Sequence, residues 1–348
     1  MASDATESTS TRRKTRGAAT IYDVAKLAGV NPSTVSRALT QPGRINIVTE
    51  TKIREAAKQL KYRTNPMARA LPTGRTNTIG LLIADITNPV IFGIVRGAEQ
   101  AAGELGYTLV IAESQESGER EARSAERIQP SVDALVLGTT RLTDEQIREL
   151  AEAKPLVVIN REFPGVPNVT PNLEPGIDQA LAHLEMLGHT RLVFLAGPTS
   201  SWMSRRREEA LRTGAQRRGM TITSIGPTEP TIDGGRGALA RVIASRTTAV
   251  IAYNDIMAIG LLRAASEHGV QVPGAFSILG FDDIFGSDFT SPALTTVRSP
   301  LALAGRYAVR RALELVGTVE RSEAEAADAA ALETELVIRG STGPARAD

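Results

Sequence analysis

The sequence predicts two architectures on one chain: a small all-α unit at the N-terminus, then a larger α/β part built on two doubly wound parallel sheets. Three observations lead there. From Thr78 onward, short apolar runs alternate with helix-patterned stretches, and strands that read as near-continuous apolar runs belong to parallel sheets covered on both faces. These runs fall into two successive sets, which implies two lobes with a cleft between them. Ahead of Thr78 there are no such runs, only helical spacing and capping residues. At 348 residues the chain also exceeds one ordinary domain.

The N-terminal elements come first. Thr20 to Leu39 reads TIYDVAKLAGVNPSTVSRAL. The hydroxyl of Thr20 can cap a first helix, and Asp23 at the third helical position approaches a capping box. Val24, Leu27 and Ala28 give that helix an inward stripe, and Gly29 suits its left-handed stop. Asn31 then caps a second helix whose first residue, Pro32, has no N–H to lose. Val35 and Leu39 face inward, leaving Pro32, Ser33, Thr34, Ser36 and Arg37 outward. Two short helices joined by a Gly-containing turn form the helix-turn-helix pattern of DNA-binding proteins. After a loop over 40–43, a third helix follows, with Thr49 as its cap and Ile53, Ala56, Ala57 and Leu60 at helical spacing. It closes a miniature core against Val24, Leu27, Val35 and Leu39, and so small a unit is marginal on its own.

This run, its basic surroundings and the segment after it resemble the headpiece of the LacI/GalR (lactose and galactose repressor) family. The family pattern T-[IL]-x-D-V-A-x-x-A-G-V-S-x-x-T-V-S-R is matched except for Asn31 in place of Ser. YRTNPMARAL (62–71) resembles the family's hinge: Asn65 caps it, Pro66 starts it, and a helix this short persists only with support, because nucleation is costly. The resemblance places Leu71 as a wedge in the minor groove at the operator centre, beside Ala68 and Arg69. Thr64 departs from the usual proline, and Pro72 follows the leucine. The resemblance runs from Thr20 to Thr342, through DITNPVIF, HLEMLGHTRLVFLAGP, AYNDIMAIG, ILGFDD and LTTV. It implies a two-lobed, periplasmic-binding-protein-like core. The expected division is a disordered basic arm over 1–19, the headpiece over 20–64, hinge and linker over 65–77, and the core over 78–348. Within the core the N-lobe covers about 78–165 and 299–328, the C-lobe about 166–298 and 329–342.

The strands expected in the core are TIGLLIAD, TLVIAES, DALVLG and PLVVIN, then RLVFLAG, AVIAYN and FSILGF, with TELVIRGST (334–342) closing. Helical patterns lie near 90–105, 119–129 and 143–153, then 176–187, 204–218, 235–245 and 256–268. No leucine heptad follows the last strand, so the lactose repressor's tetramerising tail is missing and a homodimer is expected.

Ligands of such sheets bind at the carboxyl ends of strands. Polar residues cluster there: Asp85 and Asn88, with Phe92 a turn on; Asn160 and Arg161; Trp202 and Arg207; Asn254 and Asp255; and Asp282. Carboxylates, amides and an arginine can chelate vicinal hydroxyls, and an indole can cover an apolar sugar face. The resemblance implies effector-binding roles for Arg207, Asn254 and Asp282. Local roles compete: Asp255 can cap the helix that follows, Asp85 and Asn88 can form an Asx turn, Trp202 can belong to the core, and Arg205 and Arg206 can line a solvated face. Pro171 and Asn172 stand where many relatives carry an aspartate.

Charge supports the division. Residues 1–75 hold 14 Lys/Arg against 5 Asp/Glu, and the remainder 26 against 34, so a basic head precedes an acidic body. The chain has no cysteine, which excludes disulfides and thiolate metal sites, and its three histidines are isolated in sequence. No metal or cofactor is expected. No apolar run approaches the roughly 20 residues of a membrane span, and 1–19 lacks a signal peptide's apolar stretch, so a cytoplasmic protein is expected. An enzyme is disfavoured, because Gly-Gly-Arg-Gly at 234–237 matches no phosphate loop and no nucleophile triad is visible. A solute-binding protein shares the two-lobed core but not the basic head. The expected function is therefore an effector-controlled regulator, reading double-stranded operator DNA through Ser33 and Arg37 at base edges with Pro32 in shape contact. Thr20, Tyr22, Thr34 and Ser36 contact phosphate, and a small sugar-like molecule is the effector.

Overall fold

The computed structural model describes residues 19–40, 43–62, 74–320 and 332–346. The basic arm and the hinge positions Asn65, Ala68, Arg69 and Leu71 lie outside the described residues. The chain forms two compact units divided between Thr76 and Asn77.

Among the described residues, the first unit has three helices: α1 (Ile21–Ala28), α2 (Pro32–Thr40) and α3 (Ile47–Gln59). The capping box forms as expected. The Asp23 N–H donates to Thr20 Oγ1 at 3.4 Å, and the Thr20 N–H donates to Asp23 Oδ2 at 2.8 Å, an arrangement worth about 1 kcal/mol. Gly29 ends α1 at φ 68°, its N–H on the Ala25 carbonyl. Val24, Val35, Ala38, Ile53, Ala56 and Ala57 form the core, with Leu39 and Leu60 packed at its margin. Two expectations fail. Leu27 is 47% exposed, and Ala25 takes the inward position instead, in one cluster with Val24, Val35 and Ile53. The third helix starts at Ile47, capped by Asn46, whose Oδ1 accepts from the Val48 N–H at 2.9 Å. Thr49 therefore sits inside the helix.

The second unit holds two sheets. The first is wholly parallel and ordered β2-β1-β3-β4-β5, from β1 (Thr78–Ile83), β2 (Thr108–Glu113), β3 (Ala134–Gly138), β4 (Leu156–Ile159) and β5 (Asn168–Val169). The second is ordered β11-β10-β9-β8-β6-β7, from β6 (Arg191–Leu195), β7 (Thr221–Ile225), β8 (Ala249–Ala252), β9 (Ser277–Asp282), β10 (Thr295–Arg298) and β11 (Glu335–Val337). Among these described strands only the β10–β11 pair is antiparallel. Both sheets thus run outward from their first strand in both directions, and each has a switch point beside it, β1/β3 in one and β6/β8 in the other.

Helices α4 (Val90–Glu104), α5 (Gly118–Ile128) and α6 (Asp144–Ala153) cover the first sheet. Helices α7 (Glu174–Met186), α8 (Trp202–Arg217), α9 (Ile232–Gly237), α10 (Leu239–Ala244) and α11 (Asp255–Glu267) cover the second. The stretch expected as one helix over 235–245 is thus two, divided at Ala238. Helix α12 (Leu301–Val316) returns to the first lobe and packs on α4. A Cβ on Gly97 would meet the Ala302 carbonyl oxygen at 1.8 Å, and one on Gly305 would meet that of Ile94 at 2.0 Å, so the two backbones touch directly. β5 adds to the first sheet beyond residue 165, and Leu332 joins the first lobe's core beyond 328. The chain therefore leaves and re-enters the lobes later than the sequence suggests.

Candidate functional site

The carboxyl ends of both sheets face one cleft of about 550 Å³, its open mouth included. Backbone strain gathers there. Nine described non-glycine residues have positive φ, and four of them line the cleft: Glu116 (60°), Thr139 (63°), Asn160 (60°) and Asp282 (102°). Gln115 and Asp283 are their neighbours. Such conformations each cost about 1–3 kcal/mol and persist where the surroundings over-determine them, as at ligand sites.

The second lobe supplies a buried wall. Ser201 caps α8, its Oγ accepting from the Ser204 N–H at 3.2 Å, which sets Trp202 and Arg207 on the face toward the cleft. The Arg207 side chain is 4% exposed. Its Nη2 donates to Asp282 Oδ1 at 2.5 Å, and its Nη1 to Asp282 Oδ2 at 3.3 Å and to the Tyr253 carbonyl at 2.5 Å. The guanidinium also lies 4.6 Å from the Phe281 ring centroid. Asp282 accepts in addition from Ser299 Oγ at 3.1 Å. Asn254 caps α11, its Oδ1 accepting from the Met257 N–H at 3.0 Å. Among the described residues, Arg207 Nε and Asn254 Nδ2 are the buried side-chain atoms with no hydrogen-bond partner. An orphaned buried donor costs about 1–3 kcal/mol, so each marks where an acceptor of a bound molecule would be repaid.

Asp255 lies behind this wall, fully buried, and does not cap its helix. It accepts from Thr296 Oγ1 at 2.6 Å, Ser287 Oγ at 2.7 Å and the Ile284 N–H at 2.9 Å. Burial first, and then the charge of Asp282, push its carboxyl up to about 7 against those three donors.

The first lobe supplies a wall of loops. Arg141, after β3, donates from Nε to Glu116 Oε2 at 2.7 Å and from Nη1 to the Thr139 carbonyl at 2.7 Å. Its backbone N–H donates to Glu121 at 2.7 Å. Burial lifts the Glu121 carboxyl above the ordinary range, opposed by its bonds to Thr140 and Arg141.

Of the residues expected from sequence, Asn88, Asn160, Trp202, Arg207, Asn254 and Asp282 line this cleft together. Trp202 does so while also packing on the second lobe's core. Three others are placed elsewhere. Asp85 accepts from the Thr87 N–H and hydroxyl in an Asx turn. Phe92 is half exposed on α4 and does not line the cleft. Arg161 is turned to the Leu142 carbonyl and Asp144. Asn172, at the chain crossing, is bonded to Leu332, Thr334 and Glu174. Sequence reasoning missed Glu116, Thr139, Thr140, Arg141, Ser201 and Tyr253, although the strand-end rule applied to β3 finds the Thr-Thr-Arg run.

In the first unit, Thr20, Tyr22, Ser33 and Arg37 are exposed and Pro32, Thr34 and Ser36 half-buried, a polar face along the second helix. The Thr20 hydroxyl is committed to its capping box, donating to Asp23 Oδ2 at 2.7 Å.

The profile for bacterial regulatory proteins of the lacI family matches residues 20–65, and that for the periplasmic binding protein-like domain matches 181–342. The HTH-type transcriptional regulator DegA of Bacillus subtilis is 31% identical over 93% of this chain and 98% of its own length. The ribose operon repressor of Escherichia coli is 33% identical over 84% and 91%. The crystal structure of the lac repressor dimer bound to operator and the anti-inducer ONPF superposes with a TM-score of 0.83 at 25% identity, covering 94% of this chain and all of that one. No helix among the described residues is long and apolar enough to cross a membrane. With its head, both sheets and nearly its whole length matched, this chain belongs to the LacI family of bacterial transcriptional regulators.

Proposed function

We propose that this regulator is a repressor that binds a two-fold-symmetric operator as a homodimer and is controlled by a small sugar-like effector held between the lobes of its core. The observation that carries this reading is the pairing of a capped helix-turn-helix, with Ser33 and Arg37 exposed, with a cleft whose buried Arg207 and Asn254 each keep one donor unpartnered. Arg37 and Ser33 read base edges, and Tyr22, Thr34 and Ser36 contact phosphate; Asn65, Ala68, Arg69 and Leu71 act in the hinge. Arg207, Asn254 and Asp282 hold effector oxygens, with Trp202, Asn88 and Asn160 around them. The related ribose operon repressor and the operator-bound lac repressor support this assignment by their names alone. The protein acts in the cytoplasm and has no enzymatic role.

Selection from a random duplex library tests it. Enrichment of a pseudo-palindrome is expected, with operator affinity falling steeply in salt at a log–log slope of about −0.9 per phosphate contact. Arg37→Ala is expected to weaken the selected site by about 1–3 kcal/mol and relax one base position. Equal binding of selected and random duplexes, with and without sugars, would overturn the proposal.

A further inference from the structure

We infer that Arg141 and Glu116 form the specificity determinant on the first lobe's side of the cleft, and that they select a neutral polyhydroxylated effector over its carboxylate or phosphate derivative. The inference rests on reading the cleft as the effector site. Arg141 is held as a fixed part: its side chain is 7% exposed, with Nε on Glu116 and Nη1 on the Thr139 and Thr140 carbonyls. Among the described residues its Nη2 has no hydrogen-bond partner, and neither has Glu116 Oε1, the oxygen not taken by Arg141. The pair lines the cleft, so the two N–H of Nη2 and one carboxylate oxygen stand together at its wall.

A hydroxyl group both donates and accepts, so a diol satisfies both partners. A carboxylate or phosphate only accepts. It takes the N–H but leaves the Glu116 oxygen stripped of water beside a like charge, which is the kind of mismatch that rejects a wrong ligand. The opposite wall repeats the logic, since Asp282 already compensates Arg207. The other polar residues of the lining are amides, hydroxyls and a phenol, all uncharged side chains, so no cation in the lining is left uncompensated. The backbone supports a site and not an incidental surface pair: Glu116 and Thr139, at the ends of the two loops, are both held left-handed.

Calorimetry and thermal shift on the full-length protein, with D-ribose against D-ribose 5-phosphate and D-galactose against D-galacturonate, test the inference. A neutral member is expected to bind about ten-fold or more tightly than its anionic partner. Arg141→Ala is expected to weaken that neutral sugar about ten-fold or more, with Arg141→Lys as the milder variant should the alanine protein misfold. Glu116→Gln exposes the guanidinium charge and is expected to move the neutral-to-anionic ratio about ten-fold toward the anion. A wild-type protein that prefers the anion, a panel with no neutral binder, or variants that leave the ratio unmoved would overturn it. Loss of operator selectivity in the wild type strikes the proposed function instead, because the sugar ratio is measured without DNA.

Discussion

The two lobes share a strand order yet differ in how they hold charge. The second lobe buries its chemistry: Arg207 and Asp282 are almost fully covered, Asp255 lies beneath them, and His183 and His189 are buried farther down. The first lobe buries Arg141 and Glu121 but leaves their neighbours open at the edge, Glu116 at 30% and Asp144 at 70% exposure. One wall of the cleft is thus a rigid, desolvated template, and the other a rim. Buried ionic groups fix geometry at the expense of stability, whereas rim groups tune selectivity with little bearing on the fold.

The sharpest way to break that contrast is Arg207→Ala. It leaves Asp282 buried without its partner, and is expected to cost about 3–5 kcal/mol of stability and to abolish the response to effector. Urea unfolding and calorimetry measure both. A variant as stable as wild type that still binds sugar would show the wall to be no template.

Asp255 sharpens the comparison through pH. Its carboxyl is raised from 3.8 to about 7 in the folded protein, so the folded state holds its proton more tightly than the unfolded chain. That stabilisation is fully present below about pH 4 and is lost as pH rises through about 7. The full amount is on the order of 4 kcal/mol, and Asp255→Asn is expected to flatten that part of the profile of urea midpoint against pH.

The histidines run the other way, and all three lie in the second lobe. His189 bonds to Thr248 and to the Gly343 carbonyl, His183 to Thr342, so together they pin the C-terminal segment. Burial lowers both below their ordinary value of 6.5. The unfolded chain therefore takes up protons first, and stability falls as pH drops below about 6.5. Hydrogen exchange is expected to show the acid loss in the second lobe, and His189→Asn to remove part of it. Exchange rising equally in both lobes would contradict this. The smallest effect is expected at Arg161, whose partner Asp144 is 70% exposed. Arg161→Ala should change stability by about 1 kcal/mol or less and leave sugar affinity unmoved, as calorimetry would show.

Much of this was legible in the chain. Continuous apolar runs marked β1, β3, β4, β6, β8 and β9, because buried strands permit no polar side, and β2 kept enough of the pattern to be found. β7 (TITSI) escaped because it is a half-exposed edge, and β10 (TTVR) because its buried threonines hide their burial from hydropathy. Helix α12 was missed where arginines interrupt LALAGRYAVRRALELV. At the site, six of the nine expected residues meet in the cleft, since strand ends must converge there. The rest turned on side-chain direction: Asp85, Phe92 and Arg161 stand beside the right strands but are engaged or exposed elsewhere. Arg141 lies between the strand DALVLG and the helical pattern over 143–153, a stretch to which neither pattern assigns a role.

The bare contact of α4 with α12 has a mechanical consequence. Ser299 grips Asp282 through its hydroxyl, and two residues later α12 begins its run along the first lobe. With Gly97 and Gly305 seated on each other's helices, no side chain cushions that contact. The hydroxyl that fixes Asp282 in the second lobe thus stands at the root of a helix seated backbone to backbone in the first, so the two banks of the cleft share one continuous piece of chain.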